Sequence, residues 1–187
     1  MAKLYLDTKD LKAKASLLCA YDEVYLTGTI YTARDAAHKR LLDMLEKGEK
    51  LPFELEGAVI YYAGPTPERP GALIGSCGPT TSSRMDAFTP TLLKKGLCGM
   101  IGKGPRNIFV TEAIKKAGAI YFCAIGGAGA LAAMCVKKNE VIAFEDLGCE
   151  SIKRLYVEKF PLICAIDSRG ESVFSCQNKQ YYQEEKQ

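Results

Sequence analysis

The chain has 187 residues, 48% of them hydrophobic and 25% charged, a balance that suits one domain with a real core and excludes a disordered or fibrous polypeptide. The net charge is only +3 and the lysines and arginines form no basic run, so nucleic acid is not an expected partner, whereas a small anion needs only a few placed cations. No apolar run reaches the length of a membrane span, and Met1–Asp7 carries charges where a secretory leader needs apolar residues, so a cytoplasmic protein with no membrane partner is expected.

In chain order, strand and helix patterns alternate. Glu23–Thr27 reads as a strand and Thr32–Glu46 as a helix with apolar Ala36, Leu41, Leu42 and Leu45. Ala58–Ala63 is a strand rich in β-branched and aromatic residues, and Gly64–Gly71, with Pro65, Pro67 and Pro70, is a loop. Ala72–Ser76 reads as a short strand and Ser82–Lys95 as a helix interrupted by Pro90. Then come a strand at Leu97–Ile101, a helix at Asn107–Ala117, a buried strand at Ala119–Ile125, a helix at Ala128–Lys137 and a strand at Val141–Phe144. Ile152–Glu158 and Leu162–Asp167 look like closing strands. The class is α/β, with one domain over 1–176 and a polar tail over 177–187.

Eight cysteines stand at 19, 77, 98, 123, 135, 149, 164 and 176. No two form a CxxC pair, so neither a zinc knuckle nor a local cluster motif is present, and most are expected to be reduced, buried thiols.

One pattern occurs three times: a strand ends, a Gly/Thr-rich turn follows, and a cation appears near the next helix or turn. The copies are Leu26–Asp35 with Arg34, Gly75–Asp86 with Arg84, and Gly99–Asn107 with Lys103 between two glycines. Thr32-x-x-Asp35 and Ser83-x-x-Asp86 read as capping boxes. Arg34 and Arg84 beside a positive helix end are locally unfavourable unless an anion lies there. Free backbone N–H groups and an arginine fork then make a carboxylate site. The plain alternative is that each arginine pairs with a neighbouring carboxylate on a solvated surface. Three such turns favour a ligand with more than one negative charge.

Other signals are weaker. Gly127-Ala-Gly129-Ala-Leu-Ala132, with Glu145 beyond it, fits a dinucleotide fingerprint, but too little chain follows for the rest of that fold, and close packing of helix on strand is the better reading. Lys103 is not a P-loop lysine, because Gly104 stands where Ser or Thr is needed. His38, the only histidine, shares a helix face with Arg34 and is read as a surface or structural residue before a catalytic base. Cys77, with no identifiable base, is read as a small turn residue.

Gly78-Pro-Thr-Thr-Ser-Ser-Arg-Met-Asp86 resembles the β subunit, or C-terminal domain, of class I iron–sulfur fumarases and of L(+)-tartrate dehydratase. Thr27–Arg40, Gly99–Gly104, Ile125–Gly129 and Phe144–Gly148 share the likeness, which runs from the first strand to about Phe174. The resemblance implies a swivelling β/β/α domain with a mixed sheet and flanking helices. It implies a 4Fe-4S cluster held by three cysteines of a partner α subunit, not by this chain, with one open iron acting as a Lewis acid. It implies reversible addition of water to a dicarboxylate double bond, fumarate to (S)-malate, within an α2β2 assembly. Carried over, Arg34, Arg84 and Lys103 match substrate-binding cations, and Thr80 matches a threonine that takes part in proton abstraction with help from a partner carboxylate. The chain alone is then inactive and carries an exposed partner-binding face, through which homodimers of the isolated chain could form. L(+)-tartrate dehydration, a non-catalytic dicarboxylate-binding module and a nucleotide-dependent oxidoreductase are the rival readings.

Overall fold

The computed structural model describes residues 3–175; the polar tail expected over 177–187, and Cys176, lie outside them. Strands β1 (Lys3–Asp7), β2 (Glu23–Thr32), β3 (Val59–Tyr61), β4 (Gly99–Gly102) and β5 (Ile120–Cys123) run parallel, each paired with the next. Strand β6 is Val136–Ala143, and β7 (Ile152–Ile166) pairs antiparallel with β2, β5 and β6. The pairings β2–β3–β4–β5–β7–β2 close on themselves, with β1 and β6 attached at the side.

Period-2 alternation sorts the side chains to the two faces of this ring. Val59, Tyr61, Ile101, Ile120 and Phe122 point into one core. Their neighbours Ile60, Tyr62, Met100 and Tyr121 point into a second. That outer core is covered by α2 (Asp35–Glu46), α3 (Thr89–Lys94) and α4 (Ile108–Ala117) through Ala37, Leu41, Leu92, Val110 and Ile114. Each fully buried large side chain contributes about 1.5–3 kcal/mol, so strands with both faces covered anchor the fold. Helix α4 ends where Gly118 takes a left-handed conformation, φ 63°. Two further short helices are α1 (Leu11–Lys14) and α5 (Gly129–Cys135). Among the described residues no helix is long and apolar enough to cross a membrane.

The mixed α/β sheet with flanking helices agrees with the expected class, but several elements differ. Strand β2 continues through the expected first turn to Thr32. Gly28 there marks a bulge, φ 125°, because a side chain would run into Thr8. The expected strand Ala72–Ser76 is a loop, and Gly75 lies against the backbone carbonyls of Thr66 and Pro67, where no side chain fits. The expected helix Ser82–Lys95 is a 3₁₀ turn, Ser82–Met85, followed by α3, and Pro90 sits in the first turn of α3, where its missing N–H costs nothing. The two closing strands are one strand that bends at Lys159, φ 50°. Strand β1 and the short helices of residues 8–17 were not anticipated.

Candidate functional site

Parallel strands place the loops that follow them at one edge of the sheet. Arg34 follows β2, Thr80 and Arg84 lie in the long connection after β3, Lys103 follows β4, and Gly126 follows β5. Strand β7 is antiparallel, so its start belongs to the same edge, and the 3₁₀ turn Glu145–Glu150 just before it arrives there too. The topology thus gathers all four expected site residues at one edge.

Arg34 is the N-cap of α2 and Asp35 its first residue. Arg84 Nε donates to Asp35 Oδ1 at 2.9 Å, while its terminal nitrogen stands 2.8 Å from Oδ2 without making a hydrogen bond. One carboxylate therefore ties the two arginine-bearing segments together. The Arg34 guanidinium stands 3.3 Å from Glu150 Oε1, and Glu150 Oε2 accepts from Ala36 N, so Glu150 also caps α2. Gly64 walls this arginine: a methyl group there would press on the Arg34 side chain and on the Cys149 carbonyl. Arg34 Nε is buried with no hydrogen-bond partner in this structure, a donor for which an anion would supply the acceptor.

The plain alternative of pairing with neighbouring carboxylates is therefore realised for both arginines. The Arg84 pair remains open, its arginine side chain 48% exposed, whereas Arg34 and Glu150 are 20% and 23% exposed; the Lys103 ammonium is exposed with no partner among the described residues. Both expected capping boxes are corrected. Thr32 Oγ1 donates to Ser151 O and accepts from Lys153 N, because β2 continues through it. Asp86 serves Arg106 and Asn107 N instead of Ser83. Arg84 lies at the end of its own 3₁₀ turn and not at its start, and it reaches the N-terminus of α2 instead, through Asp35.

The loop bearing Thr80 is stitched between β3 and β4. Thr80 N donates to Tyr62 O at 2.7 Å, Thr81 bridges Lys103, and Ser82 N donates to Lys103 O at 3.0 Å. The half-buried Thr80 has a hydroxyl with no partner among the described residues. The Lys103 stem runs past Gly126.

His38 is fully buried, which makes it structural and not a surface residue. Its Nδ1 donates to the Arg34 carbonyl at 2.9 Å, fixing the helix start, and Nε2 is left unpartnered. Burial lowers its pKa to about 4, so it is neutral near pH 7 and carries no charge to the site. Cys77 is buried, and burial pushes its thiol up to about 12, which agrees with a turn residue and not a nucleophile. Gly129 of the GxGxxA motif packs against Ser76–Gly78, and Cys77 N donates to Gly129 O, so the glycine serves close packing against a loop, not against a strand.

Four participants escaped the sequence reading: Asp35 as partner of Arg84, then Glu150, Lys153 and Arg106. Lys153, lowered by burial, donates to Ser151 Oγ at 2.5 Å and to Gly148 O, pinning the turn that presents Glu150. Glu150 lies just past Phe144–Gly148, a segment singled out in the sequence, but only the topology reveals its contact.

A 4Fe-4S cluster needs three grouped thiolates. Among the described residues no three His, Cys, Asp or Glu side chains are grouped to hold a metal ion. Burial holds Cys77, Cys98 and Cys164 protonated, and Cys19 and Cys149, contrary to the general expectation of buried thiols, are exposed. These residues do not fit the cluster. A groove of about 640 Å³ between α3 and α4, lined by Pro90, Leu93, Phe109 and Ala113, contains none of the expected site residues.

Residues 1–177 match a family model described as Fumarase C-terminus. The chain is 43% identical over 151 residues, 80% of its length, to fumarate hydratase 1, mitochondrial, of Leishmania major, and spans only 28% of that protein. It is 38% identical over 185 residues, 96% of its length, to a Methanocaldococcus jannaschii protein provisionally described as an L(+)-tartrate dehydratase subunit beta, and spans 95% of it. To the L(+)-tartrate dehydratase subunit beta of Escherichia coli it is 34% identical over 168 residues, 87% of its length and 82% of the relative's.

Proposed function

The chain belongs to the Fumarase C-terminus family, whose relatives carry hydro-lyase names, and from that premise we propose that it is the β subunit of an iron–sulfur-dependent hydro-lyase interconverting fumarate and (S)-malate. The observation that carries this reading is the gathering of Arg34, Arg84, Lys103 and Thr80 at one sheet edge, with Arg34 Nε and the Thr80 hydroxyl unpartnered. The domain is of the swivelling β/β/α kind.

In this reading Arg34 and Arg84 hold the carboxylates of the substrate and Lys103 adds a third cation. The exposed edge of the Arg84–Asp35 pair and the unpartnered Arg34 Nε let a carboxylate join without expelling the resident ones. Thr80 takes part in proton transfer at the carbon next to a bound carboxylate. Its hydroxyl is far too weak a base alone, so a carboxylate of the partner accepts the proton through it.

The cluster-bearing α subunit holds the 4Fe-4S group, a placement supported by the described thiols, which do not fit it, and the assembly is α2β2. Supporting a partner here, exposed Ile125, Leu131 and Met134 lie on α5 and the loop leading into it, beside Gly126 and Gly129 at the site. Relatives named as a beta subunit, and the small fraction of the fumarate hydratase that the chain spans, fit the same picture. L(+)-tartrate is the second substrate reading, favoured by the near full-length match to a protein provisionally described as a tartrate dehydratase subunit and by the match to 82% of the Escherichia coli subunit.

The test is an anoxic assay of fumarate–malate interconversion and of L(+)-tartrate dehydration, with this chain alone and co-produced with a cluster-bearing α subunit from the same source. Activity in the mixture and none with either chain alone is expected. No activity toward any of these substrates in a mixture with an intact cluster would leave the non-catalytic binding module.

A further inference from the structure

Arg106 has no part in the reading above, yet its side chain is fully buried at the joint between two site loops. Asp86 lies two residues beyond Arg84, and Arg106 three beyond Lys103. Arg106 Nε donates to Asp86 Oδ1 at 2.6 Å and Nη2 donates to Thr89 Oγ1 at 2.7 Å. The other Asp86 oxygen accepts from Asn107 N at 2.9 Å, so the carboxylate bridges both loops. The guanidinium lies over the rings of Tyr62 and Tyr121, 5.4 and 5.1 Å from their centroids.

Nearby bonds reinforce the joint. Ser82 Oγ accepts from Lys103 N at 3.0 Å, and Tyr121 Oη donates to Gly104 O at 2.8 Å while standing 2.9 Å from Ser82 Oγ. The segments carrying Arg84 and Lys103 thus form one body. Arg34 is tied to that body, among these contacts, through the half-exposed Arg84–Asp35 pair. A planar fork that meets two acceptors at a fixed angle while lying over two rings is a task for arginine, which lysine does not fill.

We propose that Arg106 is a positioning residue: through Asp86 it fixes the span between Arg84 and Lys103, and thereby makes the site select anions with two carboxylates at a set separation. This rests on the anion-site reading above. A ligand held at both ends gains from a fixed span, because its second contact is intramolecular, whereas a ligand held at one end gains nothing. A purely structural role would lower both affinities together.

The experiment is an NMR titration of the full chain at low salt with fumarate and L(+)-tartrate, and with acrylate and (S)-lactate as single-carboxylate probes. The wild-type chain is expected to prefer the dicarboxylates. Arg106→Lys should weaken dicarboxylate binding roughly tenfold and leave the single-carboxylate affinity within about twofold, and Thr89→Val, which removes one acceptor, should shift the ratio the same way by less. If Arg106→Lys does not fold, Thr89→Val decides by the same ratio. An unchanged ratio, whether affinities hold or fall together, overturns the positioning role alone. A wild-type chain with no preference for dicarboxylates overturns the anion-site reading itself, and that is seen before any variant is made.

Discussion

Two arginine–aspartate pairs lie at the same edge of the sheet and differ in kind. In Arg106–Asp86 the side chains are 0% and 10% exposed, and both carboxylate oxygens and all three guanidinium nitrogens, one of them to the Met100 sulfur, are hydrogen-bonded within the chain. In Arg84–Asp35 they are 48% and 32% exposed, with one hydrogen bond and one nitrogen contact that makes none. A buried pair costs several kcal/mol to break because an unpaired charge is stranded, whereas an exposed pair contributes about 0–1 kcal/mol. The first pair is therefore framework, and the second is open to a ligand.

Breaking the framework pair should give the largest effect. Asp86→Asn strands the Arg106 charge and should lower unfolding stability by about 3–5 kcal/mol, read by urea denaturation at pH 7. A loss under about 1 kcal/mol would remove the contrast between the two pairs.

The buried side of the site should also be sensitive to acid. Burial depresses the His38 pKa from 6.5 to about 4, with the Arg106 charge pushing the same way and the Arg34 carbonyl and Asp35 opposing it. The unfolded chain binds the proton first, so this contribution is complete above pH 6.5 and is lost as pH falls toward about 4. The window is worth on the order of 3 kcal/mol. His38→Phe should flatten the stability–pH curve there, and an unchanged slope would mean that His38 is not the group responsible.

A third test addresses the backbone contact that joins β4 to the Arg84 loop. A methyl group on Gly102 would run into Ser82 Oγ and the Tyr62 ring. Gly102→Ala should cost about 1–3 kcal/mol by overpacking, measured as a shift in the denaturation midpoint. A neutral result would show that the Ser82–Lys103 stitch has slack.

Much of this organisation was legible where a residue pattern repeats. Ala58–Ala63, Asn107–Ala117 and Ala119–Ile125 follow a clean period and were placed within a few residues of β3, α4 and β5. Gly28 misled because glycine usually ends a strand, whereas here it makes room for Thr8, which lies twenty residues earlier. Arg84 and Lys103 stand out in the sequence as cations in glycine-rich loops, because that pattern is local, whereas Arg34 follows a strand that runs through its glycine. Glu150 and Asp86 do not stand out, since their roles depend on which strands adjoin. Glu150 meets Arg34 only because β7 pairs antiparallel with β2, and Asp86 meets Arg106 only because the Arg84 loop lies between β3 and β4.

The smallest stability effect belongs to the pair proposed to serve the ligand, and it gives the most direct test of the central claim. Arg84→Ala, co-produced with the cluster-bearing partner, should change unfolding stability by less than about 1 kcal/mol and leave assembly intact. Hydration of fumarate, or dehydration of L(+)-tartrate, should nonetheless be lost. An assembled Arg84→Ala enzyme that turns over at the wild-type rate would contradict the account, because the exposed pair would then be surface decoration and the ligand would be held elsewhere.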